Sequence, residues 1–276
     1  MNKVVKRLLT FFIGVPLVLG VVYCNALHHL PLQILIGVFS VLGINEFYNM
    51  ASKKSPLFNR ALILIMTALM PVGCYLFIQT GLSLDITPWL FIVISVFLMG
   101  IECFTSKSFE NSLSKIAYTI LGIFYCGFLI TFISRMTILP DSRYVISLFL
   151  IFVFMCDSAA WFFGILFGKT TRGFVAASPN KSIVGFIGGI VASIACGLIF
   201  KFVFPEIITL SYIKVGILGF ITSLSAIIGD LIESVFKRSC DVKDSGNIIP
   251  GRGGILDSID SILIAAPIFY IGYNLL

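Results

Sequence analysis

The chain has 276 residues, 58% of them hydrophobic and 12% charged, with a mean hydropathy of +1.06 and a formal net charge of +6. Soluble domains carry about 25% charged residues, so there is too little polar surface here to cover a water-soluble fold, and the same composition excludes disorder. The length excludes a small disulfide scaffold, which leaves an all-α, polytopic membrane protein.

A membrane helix needs roughly 20 mainly apolar residues. Nine such stretches occur, near residues 8–26, 30–48, 60–79, 87–104, 116–134, 144–168, 183–204, 213–236 and 255–275. Runs such as 145–155 are continuously apolar, whereas the strands of a membrane barrel alternate, so the spans are helices. The first, with its basic start, is expected to be a retained helix; Tyr23 before Cys24 is not the small residue a lipoprotein site wants, and cleavage near Ala26 is the alternative.

With a cytoplasmic N-terminus, that side receives Lys3, Lys6, Arg7, Lys53, Lys54, Arg60, Lys107, Lys115, Lys169, Arg172, Lys181, Lys237, Arg238, Lys243 and Arg252, which is 15 of the 19 Lys and Arg. Arg135, Arg143, Lys201 and Lys214 fall outside. This asymmetry sets the expected orientation in the cell (inner) membrane. The positive charge then meets anionic headgroups and calls for no nucleic acid. His28 and His29 fall in the first external turn and read as a solvated pair. The seven cysteines have no C-x-x-C spacing and read as packing residues.

Acidic residues are unevenly placed. Before residue 140 there are only Glu46, Asp85, Glu102 and Glu110, and Glu46 and Glu102 sit near helix ends where a carboxylate reaches the interface at small cost. The later half differs. Asp157 lies about 16 Å inside the sixth span, where an Asp needs a polar cavity or a cation. In the eighth span Asp230, Glu233, Ser234 and Lys237 share one helix face, and the ninth opens with Asp257 and Asp260 at i, i+3. Between these two spans, Lys237, Arg238, Lys243 and Arg252 accompany a glycine turn, Gly251 to Gly254, that opens into a helix N-terminus, a suitable place for a phosphate. A second loop, with Gly168, Lys169, Ser178 and Lys181, precedes the seventh span in the same way.

Carboxylates on several helices suit Mg²⁺, which takes oxygen ligands and shares them with substrate phosphates. Lysines and arginines around them suit a substrate with several phosphates. Both histidines are external, so no His-activated nucleophile is available; an anionic nucleophile such as a phosphate monoester needs none. The functional half is therefore expected in 141–276, with 1–140 as a scaffold of helices.

The run of Ser234, Lys237-Arg238, Lys243-Asp244, Pro250-Gly251, Gly253-Gly254, Asp257 and Asp260 spans 27 residues and resembles the C-terminal signature of phosphatidate cytidylyltransferases, the CDP-diacylglycerol synthases. Gly229-Asp230 with Glu233 just before it, and Asp157, Phe167-Gly168-Lys169, Ser178-Pro179 and Lys181 upstream, extend the likeness over about 157–267. The resemblance implies that CTP (or dCTP) and phosphatidate give CDP-diacylglycerol and pyrophosphate with Mg²⁺, at a site facing the cytoplasm. It implies Asp230 and Asp257 as metal ligands supported by Asp260, and Ser234, Lys237 and Lys181 as phosphate-binding. Arg238 and Lys243 would hold the triphosphate, with Asp157, Ser178, Asp244, Arg252, Gly253 and Gly254 lining the substrate. A second, monovalent cation and a homodimer are left open by the same resemblance.

Three positions depart from the family pattern: Arg252 where His is usual, Ser258 where Arg is usual, and Val184 where many members have Glu. An ion-coupled transporter is the competing class, since intramembrane acids also mark ion paths, but no internal repeat is present. A CDP-alcohol phosphotransferase would need an Asp-Gly-x-x-Ala-Arg run that this chain lacks, and a catalytically dead relative would not need the retained acids.

Overall fold

The structure, a computed structural model, describes residues 3–249, 251 and 253–276, with side chains from residue 13 onward. Arg252, expected to line the substrate, lies outside the described residues. Nine helices are formed among the described residues: α1 (Lys3–Tyr23), α2 (Ala26–Ala51), α3 (Arg60–Thr80), α4 (Ile86–Thr105), α5 (Ser112–Met136), α6 (Ser142–Leu166), α7 (Ile183–Val203), α8 (Tyr212–Ser239) and α9 (Leu256–Leu275). There is no strand among them, only isolated bridges at Arg172 with Ser182 and at Ile249 with Gly253. Helices α2 to α9 are long and apolar enough to cross a membrane, and α1 contributes a shorter apolar stretch, Ile13–Tyr23. This is the all-α, multi-pass architecture expected from the apolar runs.

The chain forms two compact units, residues 1–138 with 239–258, and residues 139–238 with 259–276. In the first unit α2 packs on α3, and Ile36, Ile44 and Phe47 of α2 and Ile63 and Met70 of α3 are buried, with Ile44 and Phe47 reaching Gly122 of α5. Asn59 caps α3 by accepting from Ala61 N at 2.9 Å, and Gly81 ends it in the left-handed region at φ 69°. Helix α5 contains a wide turn over Ile123–Phe128, marked by Leu129 N donating to Phe124 O at 3.0 Å. Phe91, Phe124 and Phe128 cluster there with ring centroids 5.4 to 5.8 Å apart.

Glu102, near the end of α4, is not exposed. It is buried at 3% exposure, accepting from Ser112 Oγ at 2.6 Å and pairing with Lys115 Nζ at 2.6 Å, which ties α4 to the start of α5. His29 is likewise buried, not solvated, with Nδ1 3.1 Å from Val22 O; His28 is exposed. Both departures have one cause: a polar group inside an apolar bundle is retained where a hydrogen-bond partner is within reach.

In the second unit α6 and α7 meet along glycines. A Cβ at Gly185 would stand 2.6 Å from Ala160 O, and one at Gly189 2.7 Å from Cys156 O, so only glycine permits this approach. Ser193 donates to Phe152 O at 2.9 Å across the same seam. Phe149 and Phe152 pack on Phe269 of α9. The outward faces of α4 and α7 stay apolar, with Val93, Val96, Ile187 and Val191 all exposed, as in a helix bathed in hydrocarbon. All seven cysteines are free, and four of them are buried as packing residues.

Candidate active site

The second unit gathers the acids of the later half. Gly229 of α8 allows the approach that matters: a Cβ there would lie 2.6 Å from Asp260 O of α9. That contact brings the next residue, Asp230, and Glu233 within electrostatic range of Asp260, where Asp157 of α6 also acts. Ser261 Oγ donates to Asp157 Oδ1 at 3.4 Å, a weak link between α9 and α6, and Ser261 N donates to Asp260 Oδ1 at 2.6 Å. Two ammoniums answer these acids. Lys181, from the loop before α7, pairs with Asp230, and Lys237 pairs with Glu233 one turn back on α8.

Burial makes this group costly to assemble. Glu233 is fully buried, Asp260 is 6% exposed and Ser234 7%, all inside helices long enough to span a membrane. Four carboxylates (Asp157, Asp230, Glu233, Asp260) stand against two ammoniums (Lys181, Lys237). Carboxylates carried on three helices suit a cation with hard oxygen ligands. Of the other expected residues here, Arg238 is exposed and donates Nε to Ala177 O at 3.2 Å, which anchors the segment carrying Ser178, itself half-buried. Ser182 caps α7 by accepting from Gly185 N at 3.1 Å, so that helix start is already occupied by a side chain.

The first unit holds the signature loop, 239–255, and the first turn of α9. The loop is pinched by Ile249 N donating to Gly253 O at 2.7 Å and Gly253 N donating to Ile249 O at 3.1 Å. Gly253 has φ 114°, and a Cβ on it would meet Asp257 Oδ2 at 2.5 Å, so the position admits only glycine. Asp257 Oδ2 accepts from Gly254 N at 2.7 Å, Ser245 N at 2.9 Å and Ser245 Oγ at 2.9 Å. Lys243 and Asp244 are exposed on this loop.

The helix start expected to receive a phosphate is engaged by the protein itself. A helix leaves its first four amides without intrahelical partners. Here Gly254 N is donated to Asp257, Ile255 N and Leu256 N to Glu46, and Asp257 N to Ser245 Oγ. The amides of Gly253 and Gly254 are thus tied up within the loop, and side-chain cations are what remains for phosphates. Ser258 donates Oγ to Gly254 O at 3.3 Å and helps close the same turn. Beside the loop Lys54 pairs with Asp241 at 2.5 Å; the pairing holds the Asp241 carboxyl below its ordinary range and the Lys54 ammonium above its own.

Of the residues expected to form one site, Asp157, Lys181, Asp230, Ser234, Lys237 and Asp260 lie in the second unit, and Lys243, Asp244, Gly253, Gly254 and Asp257 in the first. Sequence reasoning did not pick out Ser245, whose signal was a hydroxyl between Lys243-Asp244 and Gly246, or Ser261, adjacent to Asp260. Among the described residues no group of three or more His, Cys, Asp and Glu is arranged to hold a metal ion by itself. One or two carboxylates completed by substrate phosphate oxygens is the usual way Mg²⁺ is held.

Comparison with known proteins gives the family. A profile described as the cytidylyltransferase family matches residues 5–276. The chain is 42% identical to a phosphatidate cytidylyltransferase of Bacillus subtilis (strain 168) over 118 residues, 43% of each chain. It is 37% identical over 184 residues to the protein of that name from Staphylococcus epidermidis, covering 66% of this chain and 65% of the relative. Against the Staphylococcus aureus (strain COL) protein of that name, identity is 32% over 247 residues, 88% of this chain and 89% of the relative. The matched stretch thus spans less than two thirds of the first two relatives and most of the third.

Proposed function

Because this chain belongs to the cytidylyltransferase family, we propose that it is a phosphatidate cytidylyltransferase, transferring CMP from CTP to phosphatidate to give CDP-diacylglycerol and pyrophosphate. The observation that carries the reading is the group of Asp157, Asp230, Glu233 and Asp260 with Lys181 and Lys237, in which Glu233 and Asp260 are buried, among helices otherwise adapted to lipid. Ionisable residues at membrane depth are expensive and are retained for function.

The chemistry needs no base from the protein. An oxygen of the phosphatidate monoester, already anionic, bonds to the α-phosphorus of CTP, and the bond from that phosphorus to the β-bridging oxygen breaks. The electron pair leaves with pyrophosphate. What the chain must supply is position and charge neutralisation. Asp230 and Asp257 are the proposed Mg²⁺ ligands, on the strength of the signature motif, and Asp260 supports them. When bound, Mg²⁺ would neutralise phosphate oxygens of the nucleotide. Lys181, paired with Asp230, would bind a phosphate oxygen of the substrate. Lys237 is held along α8 by Glu233, which orients its ammonium and lowers the cost of carrying it in an apolar helix. Ser234 donates a hydroxyl on the same face, and Arg238 and Lys243 are the exposed cations that meet the triphosphate.

Orientation belongs to this proposal. The basic loops and the N-terminus face the cytoplasm of a cell membrane, where CTP is found, and phosphatidate enters from the bilayer. The test is formation of CDP-diacylglycerol by purified protein in detergent from CTP and phosphatidate. Product is expected with Mg²⁺ and not after its chelation; well-folded protein that turns over neither CTP nor dCTP rejects the assignment.

A further inference from the structure

Glu46 is 3% exposed in α2, and among the described residues no Lys or Arg pairs with it. Its partners are three donors of the signature loop, about 200 residues away in sequence. Oε1 accepts from Ile255 N at 3.0 Å, and Oε2 from Leu256 N and Ser245 Oγ, both at 2.9 Å. The loop is shaped to this carboxylate. A Cβ at Gly246 would stand 2.7 Å from the Glu46 carboxyl carbon, and one at Gly254 2.6 Å from it. Bonds from backbone N–H to a carboxylate are charge-assisted, and a negative group at a helix N-terminus is favoured further by the helix dipole.

The link continues to the proposed site. Ser245 Oγ lies 2.9 Å from Asp257 Oδ2 as well as from Glu46 Oε2, so its single proton is shared between two carboxylates and couples them. We propose that Glu46 is a positioning residue of the reaction. It anchors the first turn of α9 and, through Ser245, sets the orientation of the Asp257 carboxylate, without itself touching substrate. This rests on the reading of Asp257 as a site carboxylate given above.

Glu46→Gln keeps the side chain's size but removes one acceptor oxygen, and in either flip its NH2 is set against a backbone N–H, that of Ile255 or of Leu256. In the full-length protein in detergent, the half-saturating Mg²⁺ concentration should rise about tenfold, the loss expected for roughly one charge-assisted hydrogen bond. The KM for phosphatidate should stay within about twofold, since positioning of Asp257 is what changes. Amide exchange at Ile255 and Leu256 should quicken in the same variant without any substrate or metal. Ser245→Ala leaves the Ile255 and Leu256 amide bonds to Glu46 in place and removes the hydroxyl that joins Glu46 Oε2 to Asp257; it should reproduce the Mg²⁺ shift with slow exchange at Ile255 and Leu256. If Glu46→Gln fails to fold, Ser245→Ala carries the test alone. A lowered melting temperature with unchanged Mg²⁺ dependence per folded molecule in Glu46→Gln overturns the proposal, as does unchanged Mg²⁺ dependence in Ser245→Ala. Asp257→Asn separates the two readings: a wild-type Mg²⁺ response there defeats the role of Asp257, while the exchange data still report whether Glu46 holds the loop.

Discussion

In the first unit the carboxylates of Glu46 and Asp257 face backbone amides and a serine hydroxyl; in the second, Asp230 and Glu233 face the ammoniums of Lys181 and Lys237. The same functional group does two jobs. Bound to amides, a carboxylate fixes the path of a loop, because the donors cannot move without the backbone. Bound to a lysine, it neutralises a charge that can be handed to another anion, because the lysine stem is flexible. Of these four acids, Glu46 and Asp257 hold backbone, whereas Asp230 and Glu233 hold ammoniums.

The sharpest way to break that contrast is Asp230→Asn, which strips Lys181 of its partner. CDP-diacylglycerol formation should fall about 100-fold or more, the scale of losing an electrostatic group at a reacting phosphate, while the melting temperature moves little because Asp230 is partly exposed. A variant retaining most of its turnover would show that charge in the second unit is not what catalysis uses. Glu233→Gln is next. It leaves Lys237, 12% exposed, without its carboxylate. Breaking such a pair should cost about 3–5 kcal/mol in reversible unfolding. Glu102→Gln makes the matching cut in the first unit, and Lys115 is better placed to bear it, being 23% exposed and 4.4 Å from the Phe58 ring centroid. A smaller loss with unchanged turnover per folded molecule is expected.

Gly189→Ala tests packing without charge, and crowding α6 against α7 should cost about 1–3 kcal/mol by the same unfolding measurement. Lys54→Ala should do least. The Lys54–Asp241 pair is solvent-exposed and screened by salt, so the melting temperature should match wild type at moderate ionic strength. The sign of its pH dependence follows from the two shifts. With Asp241 depressed, any contribution is present at neutral pH and lost as acid protonates the folded carboxylate; with Lys54 raised, it is lost again only as alkali neutralises the folded ammonium. Melting curves of wild type and variant should therefore coincide at both extremes.

How much of this was legible in the sequence depends on the range of the interaction. Helix existence is local, so continuous apolar runs placed the eight helices α2 to α9 within a few residues; the sixth span, expected at 144–168, is Ser142–Leu166. The face shared by Asp230, Glu233, Ser234 and Lys237 is also local, since helical periodicity alone creates it. Glu46 was not legible because its meaning lies in amides about 200 residues on, and an acid near a helix end looks the same whether it meets water or a loop. The N-terminus of α9 misled for a related reason. A glycine turn entering a helix advertises free amides, and only tertiary structure shows that Glu46, Asp257 and Ser245 have taken them.

The wide turn in α5 has its own consequence. Where Leu129 reaches back five residues to Phe124, the helix holds one residue more than regular winding needs, and each residue turns a helix by about 100°. Beyond that point Arg135 points to Leu84 O at 2.9 Å and lies 4.9 Å from the Phe132 ring centroid. With 25 residues, α5 could lose one and still span hydrocarbon. Removal at its end would be a matter of length, but removal inside Ile123–Phe128 would rewind the turn and swing Thr131, Ser134 and Arg135, all buried, toward lipid. At this helix, insertions and deletions change facing before they change reach.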